Sequence, residues 1–425
     1  MNNFLTLVGY EYKKIFKRKS TIISFIFIVL VLVVMGVGSV LGSEKWYSGD
    51  KVSMLDAIKK NKDTIHVKAS VMDEELIGEA IEQNAIMIAN DDNYLINEYG
   101  KHLKPEAYIK YVLPYENIVD TINAVYETNA EMLSTDGFNI MNVNSVLPID
   151  TLRSQDAKNF YKKVNQYATD SIIGNTSLSQ EEKEKHMEML SRVKIPFNYD
   201  YSTGYEYFLF LFQELSLVIL AVIAICMAPI FADEYQSRTD YLLLSTRYGK
   251  NKEIIAKILA GISLALGITI ITLMIALIGL FSIFGATGGK MAIQSMNVSS
   301  TYPVTLLEAV MISIGVVLVM SIFFSMLTLL FSSLFKSSFP VIILSFVVLI
   351  APYIINVSPA YRTLYRVLQV FPAKACAVVA IFSPYLYKFG GFVLTPAITY
   401  VGFAIVGSLI IFPFSYRGFK NHQVG

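Results

Sequence analysis

The chain holds little of what an enzyme needs. No G-x-x-x-x-G-K-[ST] stretch occurs, so it lacks the phosphate-cradling loop of an ATPase, and no G-x-S-x-G nucleophile turn is present. Its four histidines, His66, His102, His186 and His422, are scattered through polar segments with no two at a metal-ligand spacing such as H-E-x-x-H. The two cysteines, Cys226 and Cys376, both lie in apolar sequence, which leaves no CxxC site and no disulfide in the polar regions. We therefore assign no catalytic residue, metal ligand or cofactor site to this chain, and nothing in it points to nucleic acid.

Apolar sequence is abundant instead. The 425 residues are 54% hydrophobic with a mean hydropathy of +0.50, and several runs exceed the ~18 apolar residues needed to cross a bilayer. A net charge of +1 conceals an asymmetry, because residues 43–204 hold 17 Lys/Arg against 26 Asp/Glu, a balance of −9 that leaves +10 for the rest. Such a split separates an acidic, water-exposed domain from a basic membrane part. The fold class is an all-α polytopic membrane protein with six transmembrane helices plus a mostly helical extracytoplasmic domain.

Residues 1–20 read as an amphipathic interfacial helix. Phe4, Leu5, Val8, Tyr12, Ile15 and Phe16 recur at helical spacing, and Lys13, Lys14, Lys17, Arg18 and Lys19 favour anionic membrane lipids; the other reading is a basic flank with no surface docking. Spans follow at 21–42, 205–232, 254–284, 303–335, 338–357 and 392–414. The first is longer than the ~7–15 residues of a signal-peptide core and no A-x-A-like site follows it, so it should remain as an anchor. Residues 43–204 show helical periodicity at 75–89, 116–132, 155–172 and 179–193, with a capping box at Ser179-x-x-Glu182 and weaker strand patterns at 65–69 and 140–147. This domain either binds a substrate or partner or caps a gate. Residues 358–391 carry four basic residues and no acid, and their apolar stretch is too short to cross, so they read as an outer re-entrant or interfacial helix pair. Short inner segments hold 13 basic residues against 5 in the outer ones, which puts both termini, including the 415–425 tail, in the cytoplasm.

Residues 233–253 form a polar segment between the second and third spans. A charge at the bilayer centre costs at least about 2.5 kcal/mol, so this is a cytoplasmic loop. Tyr235, Tyr241, Leu242, Leu243 and Leu244 nevertheless give it an apolar ridge suited to docking on membrane, on neighbouring helices or on a partner. The bland alternative is a solvated connection. Glu234, Arg238-Thr239, Leu242-Leu243, Ser245-Thr246-Arg247, Gly249-Lys250 and Lys257 together resemble the first intracellular loop of type-2 ATP-binding-cassette exporter permeases. Arg238 stands where that family usually has Gly, so either the turn is made differently or the loop is one continuous helix. The order of leader, span, outer domain and five further spans is similar to Gram-positive permeases with a large extracytoplasmic domain between the first two transmembrane helices.

That resemblance implies a plasma-membrane half-transporter that pairs with a second permease copy or paralogue and with an ABC ATPase subunit carrying ATP and Mg²⁺. It also implies ATPase coupling through Glu234, Arg238, Thr239, Tyr241, Leu242, Leu243, Arg247 and Lys250. Within the second span, Gln213 and Glu214 are polar about two turns in. They either line a translocation pathway or bond one helix to another. Export of a peptide, drug or lipid is the leading function. A mechanotransmitting or sensory subunit that moves nothing is the alternative, and a membrane-embedded enzyme comes third.

Overall fold

The computed structural model describes residues 2–42, 53–97, 100–126, 146–239, 251–355 and 357–420. The chain divides into two compact units, one of Met1–Gly36, Phe208–Ile278 and Val310–Gly425, the other of Val37–Tyr207 and Gly279–Ala309. The first opens with the amphipathic α1 (Asn2–Lys17) and continues into the apolar α2 (Lys19–Gly42). Ile15 of α1 is fully buried, and Val8 packs against Ala256 and Ala260 with Phe4, Leu7 and Tyr12 around them. Part of the apolar stripe expected to lie on the membrane is thus covered by the protein itself. Leu5, Tyr10 and Phe16 stay exposed.

The second unit is built from α3 (Met54–His66), α4 (Glu74–Ile88), α5 (Pro105–Tyr111), α6 (Glu116–Tyr126), α7 (Phe160–Gly174) and α8 (Gln180–Leu190). Its core includes Ile77, Ala80 and Ile81 of α4, Ile118 and Ile122 of α6, and Phe160 of α7. Asp73 caps α4 by accepting from the N–H groups of Glu75 and Leu76. The expected capping box starts α8: Ser179 N–H donates to Glu182 Oε2 at 2.8 Å, and the Glu182 N–H returns to Ser179 Oγ. The strand pattern at 65–69 is not realised, because Ile65 belongs with Ala57 and Ile58 to the buried face of α3. Residues 140–145 lie outside the described residues. Two-stranded pairings do form elsewhere in the unit, β1 (Ser70–Val71) with β4 (Asn198–Tyr199) and β2 (Tyr94–Asn97) with β3 (Gly100–Leu103), all antiparallel.

Residues 287–301 are built into this unit. His186 Nδ1 and Thr301 Oγ1 share a buried hydrogen bond of 2.6 Å, Thr287 donates to the Tyr201 carbonyl, and Asn198 Nδ2 donates to that of Lys290. A Cβ at Gly288 would stand 2.5 Å from the Tyr201 oxygen, so only glycine admits this approach.

The remaining helices are α9 (Thr203–Met227), α10 (Pro229–Gln236), α11 (Lys252–Phe284), α12 (Leu306–Leu334), α13 (Ser338–Ile354), α14 (Arg362–Gln369) and α15 (Pro396–Lys420). Among the described residues, five helices are long and apolar enough to cross a membrane: α2, α9 with α10 (Thr203–Gln236), α11, α12 and α15. The apolar α13 has 17 residues, about 25 Å at 1.5 Å per residue. Glu308 is accounted for as a cap, since its carboxylate accepts from the Thr305 N–H and its own N–H donates to Thr305 Oγ1. The 358–391 region contains α14, two single helical turns and an antiparallel hairpin, β5 (Tyr387–Phe389) with β6 (Phe392–Leu394), turning at Gly390-Gly391 with Gly390 at φ +59°. The hairpin extends past 391, and α15 starts at Pro396 rather than at 392.

Pro229 separates α9 from α10 because it has no N–H with which to continue the ladder. Starting a new helix strands the first N–H groups of α10 in the interior. Ser332 of α12 resolves this: its Oγ accepts from Phe231 N–H at 3.0 Å and Ala232 N–H at 3.1 Å, and its hydroxyl donates to the Ala228 carbonyl at 2.6 Å. It acts as an N-cap supplied by another helix. Ser332→Ala should lower stability by about 2 to 6 kcal/mol, roughly 1 to 3 for each of the two stranded N–H groups. A purified variant melting at the parental temperature would remove Ser332 from this role.

Candidate functional site

The break at Pro229 presents α10 to α1, α11, α12, α13 and α15. Tyr235 donates its hydroxyl to the Ser333 carbonyl at 2.9 Å, Ser338 donates to Asp233 Oδ1, and the rings of Phe231 and Tyr235 both pack on Phe419. On another side, Glu234 enters a ring of four charges. Glu234 Oε1 accepts from Lys14 Nζ at 2.9 Å and Lys257 Nζ at 2.8 Å, while Glu11 receives the same two lysines at 3.1 Å and 3.0 Å. Lys257 is wholly buried, Glu11 and Glu234 nearly so, and the Lys14 side chain is 44% exposed. Burial by itself would lower the Lys14 pKa, but Glu11 and Glu234 outweigh it and hold the ammonium above its ordinary value. A second pair adjoins the ring, with Arg18 Nε 3.1 Å from Asp233 Oδ2.

Beyond Glu234 the helix closes in a Schellman turn. The Thr239 N–H donates to the Glu234 carbonyl and the Arg238 N–H to that of Tyr235. Arg238 takes φ +55°, the only non-glycine residue with positive φ among the described residues. The turn is therefore made in the glycine manner with an arginine in place, at a cost of about 1 kcal/mol, and α10 does not continue through it as one helix. Thr239 Oγ1 then donates to Glu234 Oε2 at 2.5 Å.

Of the residues singled out in the sequence, the structure thus brings Glu234 and Thr239 together and joins them to Lys257, while the Arg238 side chain is exposed. Tyr241, Leu242, Leu243, Arg247 and Lys250 lie outside the described residues. Gln213 is half-buried and Glu214 is exposed on the single chain. Sequence reasoning missed Glu11, Lys14 and Ser332. Glu11 did leave a signal, as the lone acid in the first 43 residues, placed on the same helical stripe as Val8 and Ile15.

The ring ties the chain on both sides of residues 240–250 to α1, with Glu234 and Thr239 just before them and Lys257 after. Among the described residues no three His, Cys, Asp or Glu side chains gather as a metal site. With the apolar helices on either side, this is the frame expected around a permease loop. The family of ABC-2 transporter proteins matches residues 5–369. The chain belongs to that family. It is an ABC-2 type permease, a multi-pass membrane protein whose family works with an ATPase partner. No curated protein and no solved structure matches the chain.

Removing one member of a buried ion pair leaves an uncompensated charge and costs about 3 to 5 kcal/mol. Lys257→Met should be destabilised by that amount, and adding Glu11→Gln should restore part of the loss, because Lys14 alone then faces one carboxylate and not two. Thermal melting of both proteins checks this, and a Glu11→Gln addition that destabilises further would contradict the ring.

Proposed function

We propose that this permease is the membrane half of an exporter, coupling ATP hydrolysis on a separate subunit to outward movement of a peptide, drug or lipid. It has six spans, the 17-residue α13 being the fifth along the chain, with both termini cytoplasmic and the second unit outside, as in the Gram-positive permeases with a large extracytoplasmic domain. It is not itself an enzyme and holds no cofactor of its own; ATP and Mg²⁺ belong to the ATPase, and the chain pairs with a second permease copy or paralogue among membrane lipids. The observation that carries this reading is the charged ring, which ties both flanks of residues 240–250 to α1, α10 and α11. A push on that loop reaches three helices at once. Tyr241, Leu242 and Leu243 then serve as the anchor in a groove of the ATPase, with Arg247 and Lys250 beside them.

Leu242→Ala with Leu243→Ala should leave the permease folded while uncoupling hydrolysis from transport. Parental transport and ATPase capture by the double variant would rule the loop out as the coupling element.

Glu214 supports the pairing. Exposed on a single chain two turns into a membrane helix, it cannot rest against lipid and calls for a second permease or a wet pathway. Glu214→Gln should retain the melting temperature and change transport rate or substrate range, and Glu214→Leu should impair transport at normal abundance. Unchanged transport in the leucine variant would sink the pathway role of Gln213 and Glu214. The alternative, a mechanotransmitter, draws on residues 287–301, which join α11 and α12 and fold into the second unit; substrate movement in vesicles separates the two.

A further inference from the structure

We propose that a pocket of the second unit binds the oxyanion of a small ligand, a carboxylate or a phosphate with an N–H or O–H donor beside it. The pocket, about 380 Å³, lies between the end of α6 and the start of α7 and falls within the size of small-molecule sites. One wall is a single stripe of the chain entering α7: Asn159, Lys162, Lys163 and Gln166 stand at i, i+3, i+4 and i+7, and all four line the cavity. The opposite stripe, Phe160, Val164, Ala168 and Ile172, is buried and belongs to the core. The polar stripe does not open on bulk water alone. Tyr126, Leu152 and Asp156 stand across the cavity from it.

The lining has the chemistry of an anion site. None of the four stripe side chains has a hydrogen-bond or ion-pair partner among the described residues. Lys163 Nζ stands 5.9 Å from the centre of the Tyr126 ring, and that phenol, its pKa raised by burial and then by the charge of Asp156, keeps its proton and remains a donor. Five donors, two of them ammonium groups, therefore line one cavity. Asp156 is the one acid among them; its Oδ2 is taken by the Arg153 N–H at 2.8 Å, and it pairs with neither lysine. Two positive charges against one negative reverse the surroundings, where acids outnumber bases by nine over residues 43–204. Leu152 and the Tyr126 ring form an apolar wall that strengthens the attraction of the lysines for an anion. Asp156 Oδ1 is left to accept from a donor on the ligand, which a bare ion lacks. The amide N–H beside a peptide's terminal carboxylate supplies one, and so does the hydroxyl of a glycerol phosphate. This assignment makes the unit a binding domain and does not depend on the direction of transport.

The full-length protein in detergent would be titrated calorimetrically with three probes: N-acetyl-alanyl-alanine as the free acid, the same dipeptide as its amide, and glycerol 3-phosphate. At least one of the two anions should bind, more weakly as salt is raised, while the amide should not. Binding of the acid names a peptide terminus as the source, and binding of glycerol 3-phosphate names a phosphate ester. Lys162→Gln and Lys163→Gln should each weaken the anion roughly tenfold, the effect of one charge-assisted hydrogen bond. Lys158→Gln, an exposed lysine outside the lining, should change nothing. Should a lysine variant fail to fold, the parent's choice between acid and amide still decides. Equal binding of acid and amide, no binding of either anion, or the same loss in Lys158→Gln as in the pocket variants would each overturn the proposal.

Discussion

An ammonium group taken wholly out of water must be met by opposite charge, and Lys257 is met twice, by Glu11 and by Glu234. Lys14 joins the same two carboxylates from the side, so charges alternate around the ring and sum to zero. Moving any one of α1, α10 or α11 away from the others would leave a buried charge facing nothing. The three helices consequently behave as one body, fastened by electrostatics where apolar contact alone would allow sliding. Val8 against Ala256 and Ala260 brings α1 close enough for the ring to close.

The ring depends in turn on the break at Pro229. Pro229 has no N–H to continue the α9 ladder, and the restart at α10 leaves polar backbone in the interior. Ser332 meets that need, and Tyr235 and Ser338 add side-chain bonds from α10 to the end of α12 and from the start of α13 to α10. Small polar residues at helix ends thus do for α10 what water does for a surface helix. The arginine at φ +55° follows from the same arrangement: with Glu234 and Thr239 both held, the chain must reverse between them whatever residue stands there.

Much of this was legible in the sequence. The apolar runs located the long helices, the spacing around Ser179 gave a real cap, and Glu234, Thr239 and Lys257 were noticed through a family pattern. Their mutual contact was not readable, because a loop motif records order along the chain and not which groups meet across it. Glu11 and Lys14 were hidden for a related reason. A lysine-rich flank reads as solvated, and only the packing of α1 on α11 shows that one acid in it faces inward. Ile65 was misjudged because a five-residue window has no room to show a helical face that returns seven residues away.

Two glutamates on adjoining helices make the sharpest contrast. Glu234 is nearly buried and has all its partners within the chain: two lysines and a threonine. Glu214 is exposed on a membrane helix, with the half-buried Gln213 beside it. A carboxylate satisfied inside one chain is explained by the fold of that chain, and nothing more is needed to account for it. A carboxylate displayed at membrane depth is not, since the fold gains nothing from it and the bilayer penalises it. Structural need therefore stops at α10, and what lies along the exposed face of α9 belongs to whatever this permease meets there.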